Sequence, residues 1–372
     1  MRVLLSVYDK TGLVDLARDL AALGHELVAS GGTAAALAGA GIDHLAVEEV
    51  TGAPEMLGGR VKTLHPAIHG GILADLAKAD HVADLEAAGI APFGMVVCNL
   101  YPFTANPSIE LIDVGGPTMV RAAAKNWAHV ASVVDPADYP AVLAELRAGG
   151  LTDGLRRRLA AKAFAHTADY DAAIAAWFAA DAEGEGALPE RVTLHLERAA
   201  DLRYGENPHQ AGARYRTAGV RSWWDDVVQH GGVALSYLNL YDADAAWRIV
   251  HQLADLGEAA AVVVKHANPC GAAVAGDVLA AYDRAFECDP MSAFGGIVAL
   301  SQPVTEAVAA EMVGNAKADV LIAPSFEPAA LELFASKRKN MRVLSAPAPG
   351  SDRWHLRQVG GAWLVQDPYT FA

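Results

Sequence analysis

The 372-residue chain reads as an α/β protein built in two parts. Short apolar runs alternate with stretches of helical period through the first half, the pattern of a parallel sheet with helices on its faces. A small polar stretch, Asp181 to Pro189, then breaks the pattern and reads as a linker. Beyond it the alternation restarts. A chain of this length exceeds what one core usually serves, so the expected domains are residues 1–190 and 191–372.

The elements follow in order. Val3 to Val7 reads as a buried strand. Thr11 is placed to cap a helix carrying Leu13, Leu16, Ala17, Leu20 and Leu23, with Gly24 as its stop. Leu27 to Ala29 is the next strand, running into Ser30-Gly31-Gly32-Thr33 and an alanine-rich helix. Further strands are expected at Met95 to Asn99 and Val130 to Val134, and Pro117 suits the first turn of a helix through Lys125. Pro136 opens a helix toward Leu146. Thr152 or Asp153 caps a long one to about Ala180, with Trp177 and Phe178 in the core. In the second part, Leu202 to Gln210 is a polar loop and Asp242 caps a helix through Val250. Strands are expected at Ala259 to Val264, Ile297 to Leu300, Val320 to Ala323 and Met341 to Leu344, with a closing hairpin at Gly360-Gly361.

Composition excludes several function classes. Hydrophobic residues make up 53% and charged residues 20%, which is globular. The net charge of −15 argues against nucleic acid or an anionic membrane as a general partner. No apolar run approaches a membrane span. Cys98, Cys270 and Cys288 cannot all pair and lack C-x-x-C spacing, so a reducing, cytoplasmic setting without a zinc site is expected.

Against this acidic background, Gly58 to Leu73 stands out. It holds Arg60, Lys62, His65 and two glycine pairs, Gly58-Gly59 and Gly70-Gly71. Glycine pairs let the backbone turn and approach a ligand, and the residue before Pro66 is pushed out of helical conformation. Cations on a glycine-framed loop suit a small anion; a solvated basic loop is the competing reading. The turns at Asp9-Lys10-Thr11 and Ser30 to Thr33 lie at strand carboxyl ends, where α/β sheets bind ligands, and a glycine turn feeding a helix suits phosphate.

Taken together, Ser6 to Gly12, Ser30 to Thr33, Gly58 to Pro66, Cys98 to Phe103 and Asp113 to Asn126 resemble, in this order, the bifunctional purine-biosynthesis family that joins AICAR formyltransferase to IMP cyclohydrolase. The resemblance continues through Arg203 to Gln210, Lys265-His266 and Asp289 to Gly296, and covers essentially the whole chain. It implies a methylglyoxal-synthase-like parallel-sheet domain followed by a cytidine-deaminase-like domain without the zinc motif. The family's G-I-G-A-G-Q and S-D-A-F-F-P-F segments and histidine-rich C-terminus do not occur in these residues. The second domain is therefore expected to be incomplete and formyl transfer weak.

The resemblance also implies site residues. Lys62, Tyr101, Asp113 and Lys125 are expected at the reacting end of the cyclohydrolase, Asp113 as the chemically sensible base. Lys10, Thr11, Ser30, Gly31, Gly32, Thr33 and Arg60 are expected on the ribose phosphate, and Thr63 and Asn99 as further substrate contacts. For formyl transfer, His266 fits a general base and Lys265 an electrostatic stabiliser, on a turn made by Asn268-Pro269. Arg203, Tyr204, Asn207 and His209 are expected to orient AICAR. The implied ligands are AICAR, formyl-AICAR and IMP, with 10-formyltetrahydrofolate as co-substrate, no metal, and a homodimer as the assembly. Two other readings share the features of the first half: a methylglyoxal-synthase-like lyase acting on a triose phosphate, and a non-catalytic nucleotide-binding module.

Overall fold

The computed structural model describes residues 1–183, 188, 190–352 and 354–368. It divides into two compact units, Met1–Arg191 and Val192–Ala372. Of the expected linker, Asp181 to Glu183 end a long helix, Leu188 is exposed, and residues 184–187 and 189 lie outside the described residues.

The first unit runs β1 (Arg2–Ser6), α1 (Leu13–Ala22), β2 (Glu26–Ala29), α2 (Gly31–Gly39), β3 (Leu45–Ala46), α3 (Val47–Thr51), α4 (Pro66–Leu73) and α5 (Ala79–Ala88). It continues with β4 (Phe93–Cys98), α6 (Gly115–Lys125), β5 (Ala131–Val133), α7 (Tyr139–Arg147) and α8 (Asp153–Glu183). The five strands pair in parallel in the order β3-β2-β1-β4-β5. β1 is central, and its side chains alternate between two cores. Val3 and Leu5 pack with Leu13, Leu16 and Leu20, whereas Leu4 packs with Ile68, Val96 and Met119 on the other face. Burial on both faces is why the strand reads as one continuous apolar run.

Sheet order reverses at β1, whose neighbours are β2 and β4. Their carboxyl ends (Ser6, Ala29 and Cys98) therefore meet at the switch point where α/β sheets open a crevice.

Three local expectations in this unit give way. Thr11 does not cap α1; Gly12 does, at φ 67°, and the Thr11 hydroxyl bonds Asp9 Oδ1 (2.7 Å). Gly70 and Gly71 do not turn the chain but lie inside α4. A Cβ on Gly71 would meet the Ala91 carbonyl at 2.8 Å, so this glycine exists for close packing. Trp177 joins the core against Phe103, but Phe178, the next residue on the helix, is 49% exposed.

The second unit runs β6 (Leu196–Leu202), β7 (Gly212–Thr217), β8 (Val228–Gly231), α9 (Tyr237–Ala254), β9 (Ala259–Lys265), β10 (Asn268–Ala275), α10 (Val278–Cys288) and α11 (Pro290–Ala293). Then follow β11 (Ile297–Leu300), α12 (Glu306–Gly314), β12 (Val320–Ala323), α13 (Pro328–Lys337), β13 (Arg342–Ser345), β14 (His355–Val359) and β15 (Ala362–Gln366). Its main sheet is mixed, in the order β10-β9-β11-β12-β13-β8; β11 pairs with β12 and β12 with β13 in parallel, and the other neighbours pair antiparallel. α9 covers one face with Trp247 and Val250; α10, α12 and α13 cover the other. Gly271 sits where α10 presses on β10, and a Cβ there would fall 1.8 Å from the Ala285 carbonyl. Asp242 is not a cap: α9 begins after Ser236, six residues earlier than expected. Among the described residues, no helix is long and apolar enough to cross a membrane.

Candidate active site

A cleft of about 710 Å³ opens at the carboxyl ends of β1, β2 and β4. The loop from Glu55 to Thr63 and the start of α6 close it from the side.

Two cations meet the start of α2. Lys62 Nζ lies 3.0 Å from where a Gly31 Cβ would be, and Lys10 Nζ lies 3.7 Å from the same point on Gly32. The first N–H groups of a helix have no partner inside it and carry the positive end of its dipole. Two ammonium groups over such an end make a phosphate cradle. Ser30 completes it, its hydroxyl bonded to Ser6 Oγ at 2.8 Å. Arg60 also lines the cleft, but its guanidinium pairs with Glu110, and both side chains are largely exposed. Such a pair contributes little stability and is readily exchanged.

Deeper in, Asp113 bends back over the start of α6. Its Oδ1 accepts the Gly116 N–H at 2.8 Å. The bend requires glycine at 116, because a Cβ there would lie 2.3 Å from Asp113 Oδ2. The Asp113 N–H in turn donates to the Tyr170 hydroxyl (2.8 Å), which fixes the backbone from α8. Burial pushes the Asp113 carboxyl above the usual carboxylate range, against the opposing Gly116 bond. Tyr101 leaves β4 on the same side, half-exposed and edge-on to Tyr8. Burial, followed by the charge of Asp113, raises its phenol. Lys62 donates to Glu55 Oε2 at 2.5 Å, with Glu48 Oε1 at 3.4 Å. The sequence reading omits both glutamates; the spacing of Pro54-Glu55-Met56-Leu57-Gly58-Gly59 before Arg60-Val61-Lys62 was the available signal.

Lys10, Ser30, Gly31, Gly32, Arg60, Lys62, Thr63, Asn99, Tyr101 and Asp113 thus share one cleft. Four expected residues have other surroundings or other partners in this structure. Lys125 is exposed at the last residue of α6, about 15 Å along the helix from its start beside Asp113. Thr33 is buried, and its hydroxyl ties down the Val7 backbone at 3.0 and 3.1 Å. Thr11 is occupied with Asp9 outside the cleft. Asn99 lines the cleft, but its side-chain amide clamps Tyr8 and Asp9 through three backbone bonds of 2.6–3.0 Å, so it shapes the wall.

Comparison with known proteins bears on this geometry. A family model described as the AICARFT/IMPCHase bienzyme matches residues 123–371, and one described as the MGS-like domain matches residues 12–126. The bifunctional purine biosynthesis protein PurH of Neisseria gonorrhoeae is 47% identical over 99% of this chain and 73% of its own length. That of Deinococcus deserti is 48% identical over the same shares. The chain belongs to the AICARFT/IMPCHase bienzyme family. A solved structure titled "Crystal structure of ForH" is 39% identical, covering 48% of this chain and 98% of its own, at a TM-score of 0.44.

In the second unit of this bienzyme chain, the turn after β9 and Tyr204 both come near α9, while Asn207 and His209 do not join them. Lys265 ends β9 and donates to the Phe294 carbonyl at 3.1 Å. The turn that follows is made by His266 and Ala267, at φ 55° and 57°, not by Asn268-Pro269, which already belong to β10. Two successive left-handed residues are the geometry of a tight hairpin. Asp242 of α9 faces this turn; burial raises its carboxyl against the opposing influence of the Ala267 and His266 backbone and the His266 ring, and its Oδ1 has no hydrogen-bond partner among the described residues. Arg203 stacks over Tyr204 at 5.4 Å, and the Tyr204 carbonyl accepts the N–H of Tyr237. Tyr237 and Asp242 are five residues apart, so the two motifs attach to α9 about 7.5 Å apart along its axis. Asn207 bonds Gln210 within its own loop, and His209 is exposed.

Proposed function

We propose that the cleft of the first unit closes formyl-AICAR to IMP. The carboxamide nitrogen attacks the formyl carbon, a C–N bond forms, and the former formyl oxygen departs as water. An amide nitrogen is a poor nucleophile, so a base must take its proton as the bond forms. Asp113 fits that role, through Oδ2, the carboxylate oxygen that Gly116 does not engage. The oxyanion developing on the formyl oxygen needs fixed donors, and Lys62 and Tyr101 supply them. Lys10, Ser30, Gly31 and Gly32 hold the ribose phosphate, with Thr63 and Arg60 at the rim. The observation that carries this reading is the convergence of the half-buried, raised Asp113 carboxyl with Lys62 and Tyr101 beside the end of α2 where Lys10 meets Gly32.

The reading extends to residues 191–372 as the formyl-transfer part, as the PurH relatives' family membership supports. His266 takes the proton of the AICAR amine, Lys265 steadies the transferring formyl oxygen, and Arg203 and Tyr204 orient AICAR. The formyl donor is 10-formyltetrahydrofolate. The reading includes a cytoplasmic homodimer. The three free cysteines support the compartment, and the family resemblance supports the assembly. The test is direct: purified chain is given formyl-AICAR and IMP is followed by chromatography. Turnover to IMP is expected. A folded chain that binds formyl-AICAR without closing it would overturn the reading in favour of a non-catalytic nucleotide module.

A further inference from the structure

Glu55 and Lys62 are neighbours by construction. An isolated antiparallel bridge joins Met56 to Val61, with N–O distances of 3.1 and 3.3 Å. Gly58 and Gly59, at φ 64° and 96°, turn the chain between them. The residues just outside the bridge, Glu55 and Lys62, are thereby brought side by side. Gly59 is favoured by its φ of 96°, a conformation that L side chains rarely adopt, and it lies beside the Glu55 carboxylate. Glu55 Oε2 accepts from Lys62 Nζ at 2.5 Å, and Glu48 Oε1 reaches the same ammonium at 3.4 Å from α3. On its other side Nζ faces Gly31. The Lys62 side chain is only 16% exposed.

We propose that Glu55, backed by Glu48, is a positioning residue that holds Lys62 as a fixed ammonium against Gly31, so that Lys62 serves as a donor and not as the base. The proposal rests on the ring-closure reading and assigns roles within it. Two carboxylates on one ammonium exceed what neutralisation needs. Burial works against the charged form of Lys62, but the Glu55 bond and the charges of Glu48 and Glu55 outweigh it, and its pKa is raised. The other titratable groups facing this region are Tyr101, which feels Lys62, with Asp113 beside Tyr101, and Lys10 over Gly32. The Asp113 carboxyl is pushed toward its neutral form while Lys62 is held in its charged form. Environments that set two titratable groups to different tasks mark the acid and base assignments.

The test is labelling of the intact chain with trinitrobenzenesulfonate, which attacks only neutral amines, across pH 8 to 10. Mass spectrometry reads Lys62, and Lys10 serves as internal reference. Labelling of Lys62 relative to Lys10 is expected to rise several-fold in Glu55→Gln, less in Glu48→Gln and most in the double variant. The alkaline limb of kcat/KM for ring closure moves to lower pH in the same order. Unchanged Lys62 labelling in the double variant overturns the clamp even when the unaltered chain closes the ring normally. Raised labelling in a chain that never closes the ring supports the clamp and overturns the catalytic reading instead. Should Glu55→Gln fail to fold, Glu48→Gln carries the same test with a smaller expected effect.

Discussion

The two units present their chemistry in opposite ways. In the first, an all-parallel sheet changes direction at β1, and every crossover returns the chain to the same edge. Four separate segments therefore deliver Lys10, Gly31, Lys62 and Asp113 into one cleft. In the second, Lys265 and His266 sit at a tight antiparallel turn between β9 and β10, with Asp242 of α9 facing it. His266 is exposed there, while Asp113 is half-buried and its carboxyl is raised by that burial. The lesson is one of topology. A parallel switch point gathers side chains from distant sequence, whereas a hairpin displays adjacent ones on an edge.

The contrast is broken most severely at Asp113. Asp113→Asn keeps the Gly116 bond but removes the base, and kcat for ring closure is expected to fall by roughly 10²–10³, the usual loss for a positioned catalytic group. In the unaltered chain the rate rises with pH as the raised Asp113 carboxyl deprotonates; the Asn variant lacks that limb. A variant that lost affinity for formyl-AICAR but kept its turnover number would make Asp113 a binding residue. The reciprocal test is His266→Ala, expected to lower the already weak folate-dependent formyl transfer by about 10² while leaving ring closure intact. Parallel assays of both reactions on one preparation decide it, and loss of both activities together would mean that the units do not act separately.

Gly271→Ala sharpens the comparison through stability. The added Cβ collides with the Ala285 carbonyl, which cannot move without shifting α10. Overpacking of this kind costs about 1–3 kcal/mol or more. Calorimetry should show a lowered transition for the second unit, with ring closure by the first unit unchanged at temperatures below it. The smallest effect concerns His69 of α4, whose pKa burial lowers and whose Nε2 has no hydrogen-bond partner. A histidine that binds its proton less readily when folded leaves stability complete above the unfolded value of 6.5 and diminishes it as pH falls through and below that value. His69→Gln is expected to flatten this part of the pH dependence of Tm, and an equal slope in both proteins would count against it.

The α/β series of each half and the order of the motifs were legible from the chain alone. They rest on local physics: apolar runs that can only be buried strands, prolines that open helices, and glycines that turn. That Lys62 and Asp113 belong to one site was expected only from the family resemblance of the motifs that carry them. Features set by distant partners were not legible. Gly70-Gly71 looks like a turn in isolation, yet Ala91 and Phe93 make it a packing seam inside α4. Thr33 looks like a phosphate ligand until Val7 claims its hydroxyl. Lys125 belongs to a motif beside Asp113 in sequence, but an α-helix rises about 1.5 Å per residue and carries it to the opposite end of α6. Sequence thus determined which elements form and which residue types stand at their ends. Tertiary structure decided which of those ends meet, because strand order, helix phase and the approach of Lys62 to Gly31 depend on contacts that no local window contains.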